Sequence, residues 1–426
     1  MMNRTSAILL TGVSGYVGRL LAVTLLEREP HMTIVAPLRG KHDHARLREL
    51  IDSEFTTPDA EARARMLARL VFLPLPPTAQ FATELVPHLQ RALRDYDVRD
   101  IVHSAGCLSY FNEAKLRAGN EELTSLMLEV ARELSVDKFV YVSTAFAAGY
   151  RGGPIAESLH VDPPADPNEY TRSKRRTERI VATSGVPYQI HRPSIVVGRS
   201  HDGQYSGKPY GAYQIWTGLC RFLCDRYRST LHVVAPDLPL NFVHQDAVQA
   251  GFYAAFRTLP VGTIIHLVSH RATLPTTREY WHLWMEACGR PEAVFYYDQL
   301  DDLDRAALDE PQRLLVDFAE SNIEISTHDW QFETGVLDVL RQSGLAYPEA
   351  TRASLASCLD WFLARNPRAQ AFIAAQAAER EATRPRVIQV PRGIRRHVSA
   401  APAGDAGDRV VTDADAADAA DAANAA

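Results

Sequence analysis

The stretch Ala7-Ile8-Leu9-Leu10-Thr11-Gly12-Val13-Ser14-Gly15-Tyr16-Val17-Gly18 decides how the rest of the chain is read. Ala7 to Leu10 form a short apolar run with no polar alternation, as in a strand buried on both faces of a parallel sheet. Gly12, Gly15 and Gly18 follow at a spacing that turns the chain tightly, lets a pyrophosphate approach the backbone and packs the next helix closely on the strand. Leu20, Leu21, Val23, Thr24, Leu25 and Leu26 then continue as a helix. Its N-terminal amides and dipole would face the phosphates. Strand, glycine turn and helix in that order predict a dinucleotide site, with an ordinary strand-to-helix turn as the structural alternative.

Working outward, strand-like runs at 33–37, 71–75, 101–104, 138–143 and 188–191 alternate with helical stretches, and a late run at 262–268 completes the set. That alternation predicts an α/β chain with a Rossmann-like, doubly wound parallel sheet. Residues 1–195, completed by about 241–268, form the expected nucleotide-binding domain. Residues 196–240 and 269–366 form a smaller, helix-rich C-terminal substrate region over the carboxyl ends of the strands, where such sheets bind ligands. The remainder, 367–426, holds an arginine-rich stretch with prolines and an Asp/Ala run, and is expected to be disordered.

At 426 residues and 46% hydrophobic content the chain can bury one large core or two joined ones. A net charge of −6 argues against a nucleic-acid partner. No apolar run approaches a membrane span, and residues 1–6 are too few for a signal peptide. Cys107, Cys220, Cys224, Cys288 and Cys358 are odd in number, widely spread and without a C-x-x-C pair, which points to a reduced, cytoplasmic protein with no metal site.

The second strand runs into Pro37-Leu38-Arg39-Gly40-Lys41. It lacks the carboxylate that accepts from an unphosphorylated ribose, while Arg39 and Lys41 can meet a 2′-phosphate, so NADPH is expected over NADH. The fourth strand ends in His103-Ser104-Ala105-Gly106, small enough to lie along a cofactor, and Asn120 falls near the middle of the next helix. The fifth ends at Ser143-Thr144, and 26 residues after Thr144 comes Tyr170-Thr171-Arg172-Ser173-Lys174. Tyr170 and Lys174 share a helix face, where the ammonium would lower the phenol's pKa toward acid–base work. Thr144 could hydrogen-bond the same substrate oxygen. Order and context make Thr144, Tyr170 and Lys174 the expected catalytic group.

With Thr11 in front, the glycine spacing resembles the extended short-chain dehydrogenase/reductase superfamily. Further segments resemble its thioester reductase and fatty acyl-CoA reductase branch, also called the male-sterility domain: Leu38-Arg39-Gly40, Ile101 to Gly106 with Leu108-Ser109-Tyr110-Phe111, Phe139 to Phe146, Arg192 to Gly198 and Leu240 to Val248. The resemblance runs from about residue 7 to 270 and weakly to 365. It implies that NADPH reduces an acyl thioester, on coenzyme A or an acyl carrier protein, to an aldehyde and in some members on to an alcohol. Thr144 and Tyr170 would bind the carbonyl oxygen, and Lys174 the nicotinamide ribose. Cofactor contacts would come from Thr11, Gly12, Ser14, Gly15, Tyr16, Val17, Gly18, Arg39, Lys41, Ser104, Ala105, Gly106, Asn120, Tyr170, Lys174, Pro193 and Ile195. Two departures stand out: Leu73-Pro74-Leu75-Pro76-Pro77 replaces the family's Gly-Asp near the adenine, and Leu123-Thr124 its Gly-Thr.

The same residues would also serve an extended reductase acting on an alcohol, ketone or nucleotide sugar, or a non-catalytic NADPH-binding redox sensor. Residues 201–213, with glycines beside tyrosines, read equally as a mobile flap or a surface loop. Trp281, Trp284 and Trp361 are expected in a core or domain interface rather than along an acyl channel. The oligomeric state stays open.

Overall fold

Seven parallel strands form one sheet whose order reverses beside the first of them. In the computed structural model, which describes residues 4–382 apart from 41, 111, 224–229 and 290, they lie in the order Thr263–Leu267, Tyr188–Pro193, Lys138–Val142, Tyr96–His103, Thr5–Thr11, Thr33–Leu38 and Leu70–Pro74. From Thr5–Thr11 the chain winds outward to Leu70–Pro74, then crosses back to Tyr96–His103 on the other side. A crevice opens at such a reversal, at the carboxyl ends of the strands, and the glycine turn lies there. Each expected strand is present; the fourth begins five residues before its apolar run, at Tyr96 rather than Ile101.

Alternation along the first strand explains the layers. Ile8 and Leu10 face one way, onto Leu21 and Leu25 of helix Tyr16–Arg28 and Phe252 and Phe256 of helix Gln245–Thr258. Ala7 and Leu9 face the other, onto Leu85 and Leu89 of helix Phe81–Ala92 and Met127 and Val130 of helix Leu123–Glu133. Burial on both faces is why the run at 7–10 carries no polar alternation.

The second region gathers helices Ala212–Gly218, Thr277–Cys288, Glu310–Ser326 and Arg352–Leu363 around Trp216 and Trp284. Three short parallel strand pairs were not anticipated from sequence. Thr230–Val234 with Ala293–Tyr297 lies within the second region, whereas Ile195–Val197 with Phe242–His244 and Pro154–Ile155 with Gln331–Phe332 join chain segments far apart in sequence. The expected disordered tail is also corrected at its start. Residues Pro367–Ala382 form a helix, and its Ala369 and Phe372 are buried in the second core, which anchors it. The Arg-rich and Asp/Ala-rich stretches fall outside the described residues. Among the described residues, no helix is long and apolar enough to cross a membrane.

Candidate active site

The glycine turn is shaped by its contacts. Gly12 has φ +82°, and a Cβ there would stand 2.5 Å from Ala105 N and 2.6 Å from Ser104 C. A Cβ on Gly18 would stand 2.0 Å from Gly12 O, so the helix sits directly against the turn. Gly15 N donates to Gly12 O at 2.9 Å and closes it. Thr11 ties the turn to the fourth strand, its Oγ1 meeting His103 Nδ1 at 2.7 Å and accepting from Ala105 N at 3.2 Å. His103 Nε2 meets Thr124 Oγ1 at 3.0 Å. Burial, with the charge of Lys174 adding to it, pushes His103 down to about 3, so this histidine is a neutral strut.

Around the turn, Ser14 and Gly15 are exposed and Val17 is partly so. The Tyr16 hydroxyl donates to Gln245 Oε1 at 2.6 Å, and its ring meets Tyr205 edge-on with centroids 4.7 Å apart. Arg19 donates to Ser206 O at 2.9 Å, and the Ser206 hydroxyl donates to the buried Glu54. The 201–213 segment therefore packs on the glycine turn. Arg39 is exposed at the end of the second strand and makes no hydrogen bond or ion pair among the described residues; Lys41 lies outside them.

The proposed catalytic side chains converge on the neighbouring strand ends. Helix Glu169–Thr183 starts at Asn168, whose Oδ1 accepts from Thr171 N at 3.0 Å. One turn in, the buried Lys174 donates to Val142 O at 2.9 Å and lies 5.9 Å from the centre of the Tyr170 ring. Thr144 follows two residues after that carbonyl, with its Oγ1 accepting from Phe146 N at 3.4 Å. Ser143, beside it, has a buried hydroxyl with no hydrogen-bond partner among the described residues. On the other side, a Cβ on Gly106 would come 2.9 Å from Asn120 Oδ1 and 3.5 Å from Lys174 Nζ, filling the space between them.

Asn120 does not sit on a regular α-helix. It lies in a π-helical turn, Arg117–Glu122, a distortion frequent at functional sites. Its Oδ1 accepts from Cys107 N at 2.7 Å and its Nδ2 donates to Ser173 Oγ at 2.7 Å, joining the fourth strand's end to the Tyr170 helix.

The expected lowering of the Tyr170 pKa is reversed. Burial pushes this phenol above its usual range, and the neighbouring Tyr110 and Cys107 add to the shift, so Tyr170 holds its proton. Tyr110 stands 6.3 Å away, ring centre to ring centre. Lys174 moves down to about 8 because burial penalises its ammonium, with the Glu178 carboxylate pulling the other way.

Glu178 is itself part of a buried hub. Arg192, at the end of strand Tyr188–Pro193, donates to both its carboxylate oxygens, at 2.9 and 2.7 Å, with both side chains fully buried. The guanidinium also reaches His160 Nε2 at 2.9 Å and Ser158 O at 2.8 Å. The Tyr170 helix is thereby locked to the strand that leads to Pro193 and Ile195.

An apolar pocket of about 490 Å³, open mouth included, begins at Phe146 and Ile195 and runs into the second region past Ile215, Phe242, Trp281 and Trp330. Gly211 and Ala212, at the end of the 201–213 segment, line it too. Trp281 and Trp284 are core, as expected, and Trp361 packs against that core; Trp281 also lines the pocket. Helical periodicity does not separate Trp281 from Trp284, three residues apart on one helix.

A family model described as male sterility protein, NAD-binding, matches residues 10–248, more than half of the chain. The chain belongs to that family. This male sterility family member is an NAD(P)H-dependent oxidoreductase of the extended short-chain dehydrogenase/reductase type, and a nicotinamide dinucleotide is its cofactor. Its fold is similar to the terminal R domain from the myxalamid PKS-NRPS biosynthetic pathway, with TM-score 0.68 and 22% identity over 86% of this chain and 92% of that one. It is also similar to a thiolation-reductase di-domain from an archaeal non-ribosomal peptide synthetase (TM-score 0.61, 20% identity, 84% and 75% covered). UDP-glucuronic acid 4-epimerase from Bacillus cereus in complex with NAD shares the fold more loosely (TM-score 0.56, 16% identity, 83% and 98% covered). A comparison with curated proteins found no match.

Proposed function

We propose that this family member reduces an acyl thioester, presented on coenzyme A or a carrier-protein arm, to an aldehyde, with NADPH as donor. The observation that carries the reading is the junction at Thr144. On one side are Lys174, Tyr170 and the cradle at Gly106; on the other, one hydrogen bond away at Phe146, begins an apolar pocket suited to an acyl chain. The fold's likeness to reductase domains of polyketide and peptide assembly lines supports the same class.

The residues present fit the cofactor. Gly12, Ser14, Gly15, Tyr16, Val17 and Gly18 would hold the pyrophosphate at the helix N-terminus, and the exposed Arg39 would meet the 2′-phosphate. Ser104, Ala105, Gly106 and Asn120 would line its path, and Pro193 and Ile195 would flank the nicotinamide. When bound, the reduced nicotinamide supplies a hydride to the thioester carbonyl carbon. Tyr170, kept protonated by burial, gives its proton to the carbonyl oxygen, and Thr144 donates a hydrogen bond to it. Lys174 orients the ribose and keeps positive charge beside Tyr170 as the proton leaves. The resulting hemithioacetal loses its hydroxyl proton, breaks its C–S bond and releases aldehyde and thiol. Five cysteines, odd in number and without a C-x-x-C pair, fit a reducing, cytoplasmic setting.

Absorbance of reduced nicotinamide tests this directly. NADPH oxidation that requires an acyl-CoA or acyl-pantetheine thioester, releases thiol stoichiometrically and falls about 10²-fold or more in Tyr170→Phe with NADPH binding retained is the expected result. Oxidation independent of thioester, or undiminished in the variant, would overturn it.

A further inference from the structure

Two polar groups in the pocket have no part in the proposed reduction. Asn241, just before strand Phe242–His244, and Asn322, on helix Glu310–Ser326, both line it, and their side chains are more than nine-tenths buried, at 6% and 9% exposed. Their amides are fixed in orientation by their partners. Gln214 Nε2 donates to the Phe318 carbonyl at 2.7 Å, so Gln214 turns its oxygen to Asn322, whose Nδ2 donates to it at 2.8 Å. Asn241 Nδ2 donates to the Trp330 carbonyl at 3.4 Å, a group that only accepts. Each asparagine therefore leaves Oδ1 without a hydrogen bond among the described residues, and neither oxygen is among the buried atoms sealed from solvent. Both residues line the pocket, the open space beside them.

An amide oxygen in an apolar enclosure is stable only if something donates to it. Water can do so in the empty pocket. A plain alkyl chain that displaced this water would leave both oxygens unpaired, whereas a chain with its own N–H or O–H would replace the lost bonds. We propose that Asn322 and Asn241 select an acyl chain bearing a hydrogen-bond donor within an otherwise apolar body, of the N-acylaminoacyl or hydroxyacyl class, over a simple fatty acyl chain. The selection rests on the acyl-thioester reading, and the two can be separated.

Unreactive pantetheine thioethers of equal chain length, one alkyl, one with an internal amide and one hydroxylated, are titrated against the protein by quenching of tryptophan fluorescence. At least one donor-bearing ligand should bind about tenfold tighter than the alkyl one, the worth of one net hydrogen bond. Asn322→Leu should bring that ratio to about one, and Asn241→Leu should lower it. If Asn322→Leu does not fold, as judged by thermal melting, Asn241→Leu decides. Equal affinities in the unmodified protein, no binding of any ligand, or a ratio unchanged in the folded variants would overturn the inference. The matching thioesters, assayed in parallel for NADPH oxidation, judge the reductase reading: selective binding without turnover would leave the selection standing and remove the thioester chemistry.

Discussion

Lys174 carries a charge that its surroundings resist. Burial lowers it to about 8 from 10.5, so its ammonium begins to lose its proton close to neutrality. If that charge supports Tyr170 and the ribose, log kcat/KM should be flat below about pH 8 and fall with rising pH above it, since this quantity reports ionisations of the free enzyme. A profile flat to pH 10 would remove Lys174 from the reaction. The sign for stability is opposite. Between about 8 and 10.5 the unfolded chain holds the proton that the folded one has released, so the penalty of burying this ammonium is relieved as pH rises through that window. The Tyr170–Lys174 pair was legible because a spacing of four is a helix face. The direction of the Tyr170 shift was not legible, since it depends on burial and on Tyr110 and Cys107, which the helix meets only in the folded chain.

Helix Glu169–Thr183 is placed by a contact that leaves no local mark in the sequence. Nothing in the chain pairs Glu178 with Arg192, yet the two form a fully buried, two-point ion pair. The charge-assisted network fixes the helix, and losing one partner strands the other. Glu178→Gln should therefore destabilise the fold by about 3–5 kcal/mol, read from denaturant unfolding. A change within about 0.5 kcal/mol, as at an ordinary surface site, would show that the pair is dispensable. The same helix receives Asn120 through Ser173, and the sequence located this asparagine without revealing the π-helical turn that aims it.

Across the whole molecule, the sheet was legible because strands buried on both faces are largely apolar, as at 7–10 and 34–36, even though Tyr188–Pro193 buries Gln189, His191 and Arg192. The strand pairs beyond the main sheet were not, because they form between segments far apart in sequence, and two of the three, such as Pro154–Ile155 with Gln331–Phe332, are only two or three residues long. The start of the tail was misjudged for a related reason: an alanine-rich stretch offers few anchors, but Ala369 and Phe372 suffice. The 201–213 segment has a consequence for the complete enzyme. Its Tyr205 and Ser206 bear on the glycine turn through Tyr16 and Arg19, while its Gly211 and Ala212 wall the apolar pocket. On the proposed function, nucleotide and acyl group would share this piece of chain, and any effect of one on the other's affinity would be returned by the same factor. Titrating NADPH with and without an unreactive acyl thioether, and the thioether with and without NADP⁺, should give equal enhancements of about fivefold or more. Tyr205→Leu, which removes the ring that meets Tyr16, should bring both toward one; additive binding in the unmodified protein would mean the segment does not couple them. If the titrations show that coupling, the proposed reaction would gain an order: a nucleotide-free molecule would bind the acyl ligand less well, and an acyl group would be drawn from its carrier chiefly once the reductant is in place.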